Sequence, residues 1–315
     1  MKNFYKLILM AALSLGAAPF VTSCSDDEEA DEWNATYVYL QREDYLVSNV
    51  KTFNLTHDAE GIGGDEISMT FAAKTQKPVS KDIIVSLDVK SDAEGLDVSK
   101  ISLSSSQVTI KAGQQVSEEV TAKVDRTIFG TTDDKVSYSF SISIKNISTS
   151  NGNTTISSNL KTLPAVINKS AFCNLRSGTP ADSKLWTAKT EWSFTFQDGV
   201  ENQNSNSVIG NGGSDVATNG IPFWLTVDLK TVKTIKGIQT KHWASAYAPT
   251  QIEIFSSDNG SVWKSMGVLD IKGGTQNVIF IAPVTARYLK YQMIKVPSRV
   301  DITAFYVYIP NEWQV

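Results

Sequence analysis

Apolar and polar positions alternate one by one along most of this chain. The clearest run is Val136-Ser137-Tyr138-Ser139-Phe140-Ser141-Ile142-Ser143-Ile144, which puts its apolar side chains on one face of an extended strand. Ile67, Met69, Phe71 and Ala73 repeat the pattern, and so do Ile83, Val85, Leu87 and Val89. Shorter strands are predicted at 36–41, 51–56, 107–110 and 118–124. Turn-forming residues separate them: Gly61-Ile62-Gly63-Gly64, Ala93-Glu94-Gly95 and Lys111-Ala112-Gly113-Gln114. About seven short strands with such turns predict a two-sheet, immunoglobulin-like sandwich over residues 36–168. Residues 146–159, rich in Ser, Thr, Asn and Gly, read as a long loop or ragged hairpin, and 160–167 as a returning strand.

Beyond residue 168 the alternation comes in shorter phrases. In Phe223-Trp224-Leu225-Thr226-Val227-Asp228-Leu229, Leu225, Val227 and Leu229 face one way and Trp224, Thr226 and Asp228 the other. The strand 251–255 leads into the turn Ser256-Ser257-Asp258-Asn259-Gly260, after which Trp263 is expected to open the next strand as a core anchor. After Ala286-Arg287-Tyr288-Leu289-Lys290, Leu289, Tyr291 and Met293 share a face, and the end at 302–308 is again β-rich. Helical periodicity is nearly absent after residue 23. The expected fold is therefore all-β in two domains, 36–168 and 169–315, with the boundary near 168–170.

The phrases at 223–229, 256–263 and 286–290, in that order and spacing, resemble the discoidin or F5/8 type C domain. Its sugar-binding branch includes the family 32 carbohydrate-binding modules. The resemblance implies a jelly roll over 169–315. Residues 37–124, with the Gly113-Gln114 turn before a final polar strand, resemble the DUF1735 domain of Bacteroidetes surface lipoproteins. That likeness implies a spacer or assembly module and brings no known catalytic residue.

The first 23 residues read as a targeting leader, set apart from the fold. Lys2 and Lys6 form its charged start, and the apolar run 7–15 is shorter than the roughly 20 residues that span a bilayer. Val21-Thr22-Ser23-Cys24 is similar to the lipobox of bacterial lipoproteins, which implies that Cys24 is the lipid attachment site. Residues 24–35 then form an acidic tether. Its run Ser25-Asp26-Asp27-Glu28-Glu29 reads either as a solvated tether or, by resemblance, as a surface-export signal of Bacteroidetes lipoproteins. The expected location is the outer membrane, lipid-anchored and facing outward. Without the leader, 27 basic residues stand against 33 acidic ones. The whole chain carries −4 and shows no basic stripe, which excludes nucleic acid as an expected partner. Cys173, left without a partner, is expected as a buried free thiol.

Constellations for catalysis do not emerge. The chain has no Gly-x-Ser-x-Gly elbow, no His-Glu-x-x-His and no phosphate loop. Two β-domains fill its length, so neither an enzyme nor a cofactor is expected. Many discoidin-like sugar binders hold a structural calcium between an early Asp-Gly loop and a Glu of the last strand. In this chain the loop 209–213 has Asn211, and Ala304 stands where that Glu is expected, so no tight calcium site is expected. The family's Thr-x-Trp is also missing from 214–220.

One loop concentrates groups suited to sugars: Lys241-His242-Trp243-Ala244-Ser245-Ala246-Tyr247-Ala248-Pro249. Flat aromatic faces stack on the C–H surfaces of pyranose rings at low entropic cost. Trp243 and Tyr247 are expected to stack, while His242 and Arg299 hydrogen-bond hydroxyls. The alternatives are that either aromatic ring caps the core and that Arg299 is a solvated surface residue. Trp186 and Trp192 read as core. Two functions stay open. One is a surface lipoprotein that binds carbohydrate through its C-terminal domain, accessory to polysaccharide capture and utilisation. The other is a protein-binding adhesin or structural spacer in a surface complex.

Overall fold

A computed structural model describes residues 34–313 apart from 47, 92–95, 188–190, 205–207 and 209–213. The leader 1–23, the lipid-attachment residue Cys24, the acidic run 25–29, the turn 93–95 and Asn211 lie outside the described residues.

The first unit is a two-layer sandwich. One sheet orders β10 (Thr154–Ile156), β1 (Thr36–Arg42), β4 (Ile67–Thr75), β8 (Val120–Val124) and β6 (Ile101–Leu103). The facing sheet orders β3 (Gly61–Gly64), β2 (Lys51–Asp58), β11 (Thr162–Phe172), β9 (Val136–Thr149), β5 (Ile83–Ser91) and β7 (Gln107–Ile110). The alternating residues meet between the layers: Val38, Phe71 and Ala122 from one, Val85, Ile142 and Ile167 from the other, all buried in one cluster. Residues 146–159 are neither the expected long loop nor a hairpin. β9 continues to Thr149 along β5, after a register shift between Ser86 and Leu87, and β10 then adds in parallel to β1. Polar residues suffice there because this extension and β10 bury little.

The chain passes from the first unit to the second without a linker. The Phe172 amide donates to the Asp133 carbonyl (2.7 Å) and the Cys173 amide to that of His57 (2.9 Å), both in the first unit. The next amide, of Asn174, donates to the Met266 carbonyl in the second (2.7 Å). Cys173 is a free thiol, half-buried rather than fully buried, and burial pushes its pKa up.

The second unit is a curled sheet around its own core. The sheet orders β13 (Ser183–Trp186), β21 (Ala304–Pro310), β16 (Trp224–Lys241), β19 (Thr275–Lys295), β17 (Gln251–Ser257) and β18 (Lys264–Asp270). Beside this path, β12 (Leu175–Ser177) pairs β19 and β14 (Ser193–Phe196) pairs β16, while β15 (Val216–Thr218) pairs β20 (Val300–Ile302). β16 and β19 stay paired along most of their length, with register breaks between Asp228 and Lys233 and between Ile235 and Gly237. Before the breaks β16 takes β14 as its other neighbour, and after them β21. Gly237 marks the bend, where a Cβ would sit 2.1 Å from the Val278 carbonyl oxygen.

Trp186 and Trp192 are buried edge to face, with centroids 4.8 Å apart. Trp263 is not the core anchor expected of it. The Asn259 side chain accepts the amides of Ser261 and Val262 (2.9 Å each), so the chain is still turning there. β18 begins only at Lys264, and Trp263 is left half-buried outside the core cluster.

One surface ion pair ties β16, at its first register break, to β19. Arg287 donates Nε to Asp228 Oδ1 (2.8 Å) and Nη2 to Oδ2 (2.9 Å), and the Lys230 amide also donates to Oδ1 (2.8 Å). Chiefly the Arg287 fork holds the Asp228 carboxyl far below the usual carboxylate range. A depressed folded-state pKa contributes stability above the unfolded value, about 4, and that contribution is lost as pH falls towards the folded one. Asp228→Asn is therefore expected to lower the melting temperature at pH 7 and to flatten its fall below about pH 4. Thermal melts across pH check this; an unchanged acid slope would remove Asp228 as its source.

Candidate functional site

The loop 242–250 joins β16 to β17 and folds into a single 3-10 turn at Ser245–Tyr247. Its two large rings face solvent: Trp243 is 53% exposed and Tyr247 40%. Neither fills the core. The backbone beneath them is fastened. The His242 amide donates to the Gly274 carbonyl (2.8 Å), and the Tyr247 amide to that of Ala244 (3.0 Å). Gly274 packs so closely that a Cβ there would lie 3.1 Å from Ala244 C.

His242 does not join the rings at the surface. Its side chain is fully enclosed, Nδ1 donates to the Asp301 carbonyl, and Nε2 meets Thr240 Oγ1 at 3.2 Å. The expected hydrogen bond from His242 to a ligand is thus corrected. Period-two alternation explains the difference: Lys241 is exposed and His242, the next residue, turns inward as β16 ends.

Arg299 sits at the rim of the same end, 37% exposed at its side chain, but it is already engaged. Nη1 lies 3.3 Å from Glu201 Oε2, and Nη2 lies 3.2 Å from Asp215 Oδ2. These pairs tie the chain before β20 to the segment leading into β15. Arg299 is neither a free solvated arginine nor an unoccupied donor. Two carboxylates against one guanidinium leave this corner without surplus positive charge.

Asp301 was not singled out from the sequence. It is fully buried in β20, and its Oδ1 accepts the Trp243 amide (3.1 Å). Its Oδ1 also lies 3.7 Å from His242 Nδ1, while Oδ2 has no protein partner. An Asp between apolar neighbours, in Val300-Asp301-Ile302, carries that signal only weakly, since alternation alone would point it outward. Ala304 is buried and offers no side-chain oxygen. Among the described residues, no group of three or more His, Cys, Asp or Glu side chains is placed to hold a metal ion.

Residues 187–304 match the F5/8 type C domain family. The curled β-unit at the C-terminus is thus of the type that the strand phrases suggested. Residues 1–77 match a domain of unknown function, DUF4999. That corrects the DUF1735 resemblance, which rested on strand patterning that many sandwiches share. No curated protein matches the chain. Among solved structures, the chain is similar to a two-domain protein of unknown function from Bacteroides fragilis. The identity is 16%, covering 87% of this chain and 94% of that one, with a TM-score of 0.44. It is also similar to an F5/8 type C domain from the same species (15% identity, 42% of this chain and 99% of that one, TM-score 0.37). A family 32 module from Clostridium perfringens in complex with galactose is a further likeness (20% identity, 39% and 95%, TM-score 0.32).

Proposed function

We propose that the C-terminal domain binds carbohydrate through the rings of Trp243 and Tyr247. The observation that carries this reading is two exposed aromatic rings, four residues apart, on a loop whose backbone is fastened at several points. Exposed rings normally cost solvation, and rigid ones bind at low entropic cost. The match to the F5/8 type C family supports a binding rather than a catalytic role. A lone shallow sugar site works near millimolar affinity, about −4 kcal/mol.

A glycan array with the purified protein tests this. Binding to a defined set of glycans is the expected result. Silence across the array, with capture of one surface protein, would favour the second reading: a protein-binding adhesin or spacer in a surface complex. That reading draws on His242 and Arg299, both engaged within the protein and leaving few free donors at the rim.

The wider proposal is a lipoprotein anchored through Cys24 to the outer membrane and facing outward, where glycan binding would serve polysaccharide capture and utilisation. The lipobox-like Val21–Cys24 and the acidic run 25–29 support it. On this reading, Cys24→Ala moves the protein from membrane to soluble fractions, and protease removes the parent from intact cells. A Cys24→Ala protein that stays membrane-bound would refute the anchor, and a parent that resists protease until the cells are broken would refute the outward orientation.

A further inference from the structure

Beneath the aromatic loop runs a line of buried polar side chains that reaches both of its ends. At one end, Gln276 Nε2 donates to the Pro249 carbonyl (2.8 Å). Gln276 Oε1 accepts from the Tyr291 hydroxyl (3.2 Å), and Gln276 lies directly opposite Thr240 where β19 pairs with β16. Thr240 Oγ1 meets His242 Nε2 at 3.2 Å, and His242 Nδ1 donates to the Asp301 carbonyl. At the other end, Asp301 Oδ1 accepts the Trp243 amide (3.1 Å). Gln276, Tyr291 and Thr240 are each 1% exposed, and Asp301 is wholly buried.

Five polar side chains in a jelly-roll core are costly unless each finds partners. Apolar residues of similar size would fill the same space, so packing alone does not call for them. Three strands supply the members: Thr240 from β16, Gln276 and Tyr291 from β19, and Asp301 from β20, with His242 just past the end of β16. What the line touches at its two termini is the backbone of the loop, at Trp243 and at Pro249.

We propose that this line is a positioning device that holds Trp243 and Tyr247 in their binding geometry before any ligand arrives, with Asp301 and Gln276 as its terminal anchors. The inference rests on the carbohydrate reading for its purpose, but the order of the loop can be measured without any glycan. Cutting the line at the Pro249 end must loosen the Trp243 end, although Gln276 has no hydrogen bond to Trp243.

Amide hydrogen exchange on the full protein tests this, because exchange reports local opening. The parent should protect the Trp243 amide. Asp301→Ala and Gln276→Leu should each speed its exchange about tenfold or more, while amides of the central strand β16 near Leu225 keep their rates. Asp301→Asn retains the Oδ1 acceptor and should stay close to the parent. If Asp301→Ala fails to fold, Gln276→Leu decides alone. An unprotected Trp243 amide in the parent would overturn the proposal. So would an unchanged Trp243 rate in Gln276→Leu, or equal rates in Asp301→Ala and Asp301→Asn. Where the glycan array gives a ligand, its affinity should fall in the same variants and in the same order. If the array is silent, the exchange rates still decide the positioning, and only the carbohydrate reading fails.

Discussion

Trp243→Ala is expected to abolish detectable glycan binding and to leave the melting temperature nearly unchanged. The ring is more than half exposed, so truncating it removes a stacking surface rather than core volume. The contact that fastens this position comes from the main-chain amide to Asp301, which alanine keeps. Losing a central aromatic from a binding site commonly costs about 2 kcal/mol or more, roughly thirtyfold. From a millimolar starting point, that loss passes below detection. Tyr247→Ala should weaken binding as well. Calorimetric titration beside thermal melts separates the outcomes. A melting point several degrees lower would make Trp243 a structural residue, and parent-like binding would move the site elsewhere.

Gly267→Ala should destabilise the protein more than any surface change. Gly267 lies in β18 at φ +110°, a backbone conformation that side chains rarely tolerate. A Cβ there would sit 2.6 Å from Cys173 Cα and 2.8 Å from its Sγ. Backbone strain of this kind costs about 1–3 kcal/mol, and overlap with another main chain cannot rotate away. Together about 3 kcal/mol or more is expected, which lowers the melting temperature by about 6 °C or more for a chain of this size. Gly267 lies in the second unit, and because Cys173 and Asn174 bond the two units in consecutive residues, the change should lower the second unit's transition and reach the first unit's as well, which scanning calorimetry reads directly. Parent-like melting would mean that the junction yields easily.

Much of this was visible in the alternation of residues. Gln107–Ile110 emerged with the expected bounds, and the faultless run at 136–144 is the heart of β9. What alternation could not show is where a strand of polar residues continues. β9 and β10 extend through a Ser- and Asn-rich stretch because pairing with β5 and β1, not burial, stabilises them there. It also could not show how far β16 and β19 run, since bulges interrupt their period and make each look like separate short strands.

At the site, the sequence placed Trp243 and Tyr247 on one loop but left open whether either ring caps the core; both are exposed. The inward turn of His242 was not legible there, because the alternation of β16 carries on past its last residue, Lys241, into the loop. Arg299 looked free because its partners, Glu201 and Asp215, lie 98 and 84 residues away in sequence. Asp301 stayed hidden for the same reason: a carboxylate reads as solvated until the fold brings an amide and an imidazole to it.

The central claim is that the Trp243–Tyr247 loop is the glycan-binding surface. The most direct test is the indole N–H spectrum of the seven tryptophans during titration with a glycan identified on the array. The Trp243 signal should shift in a saturable way, while those of the buried Trp186 and Trp192 stay in place. A saturable shift confined to Trp224 or Trp263, with Trp243 unmoved, would contradict it.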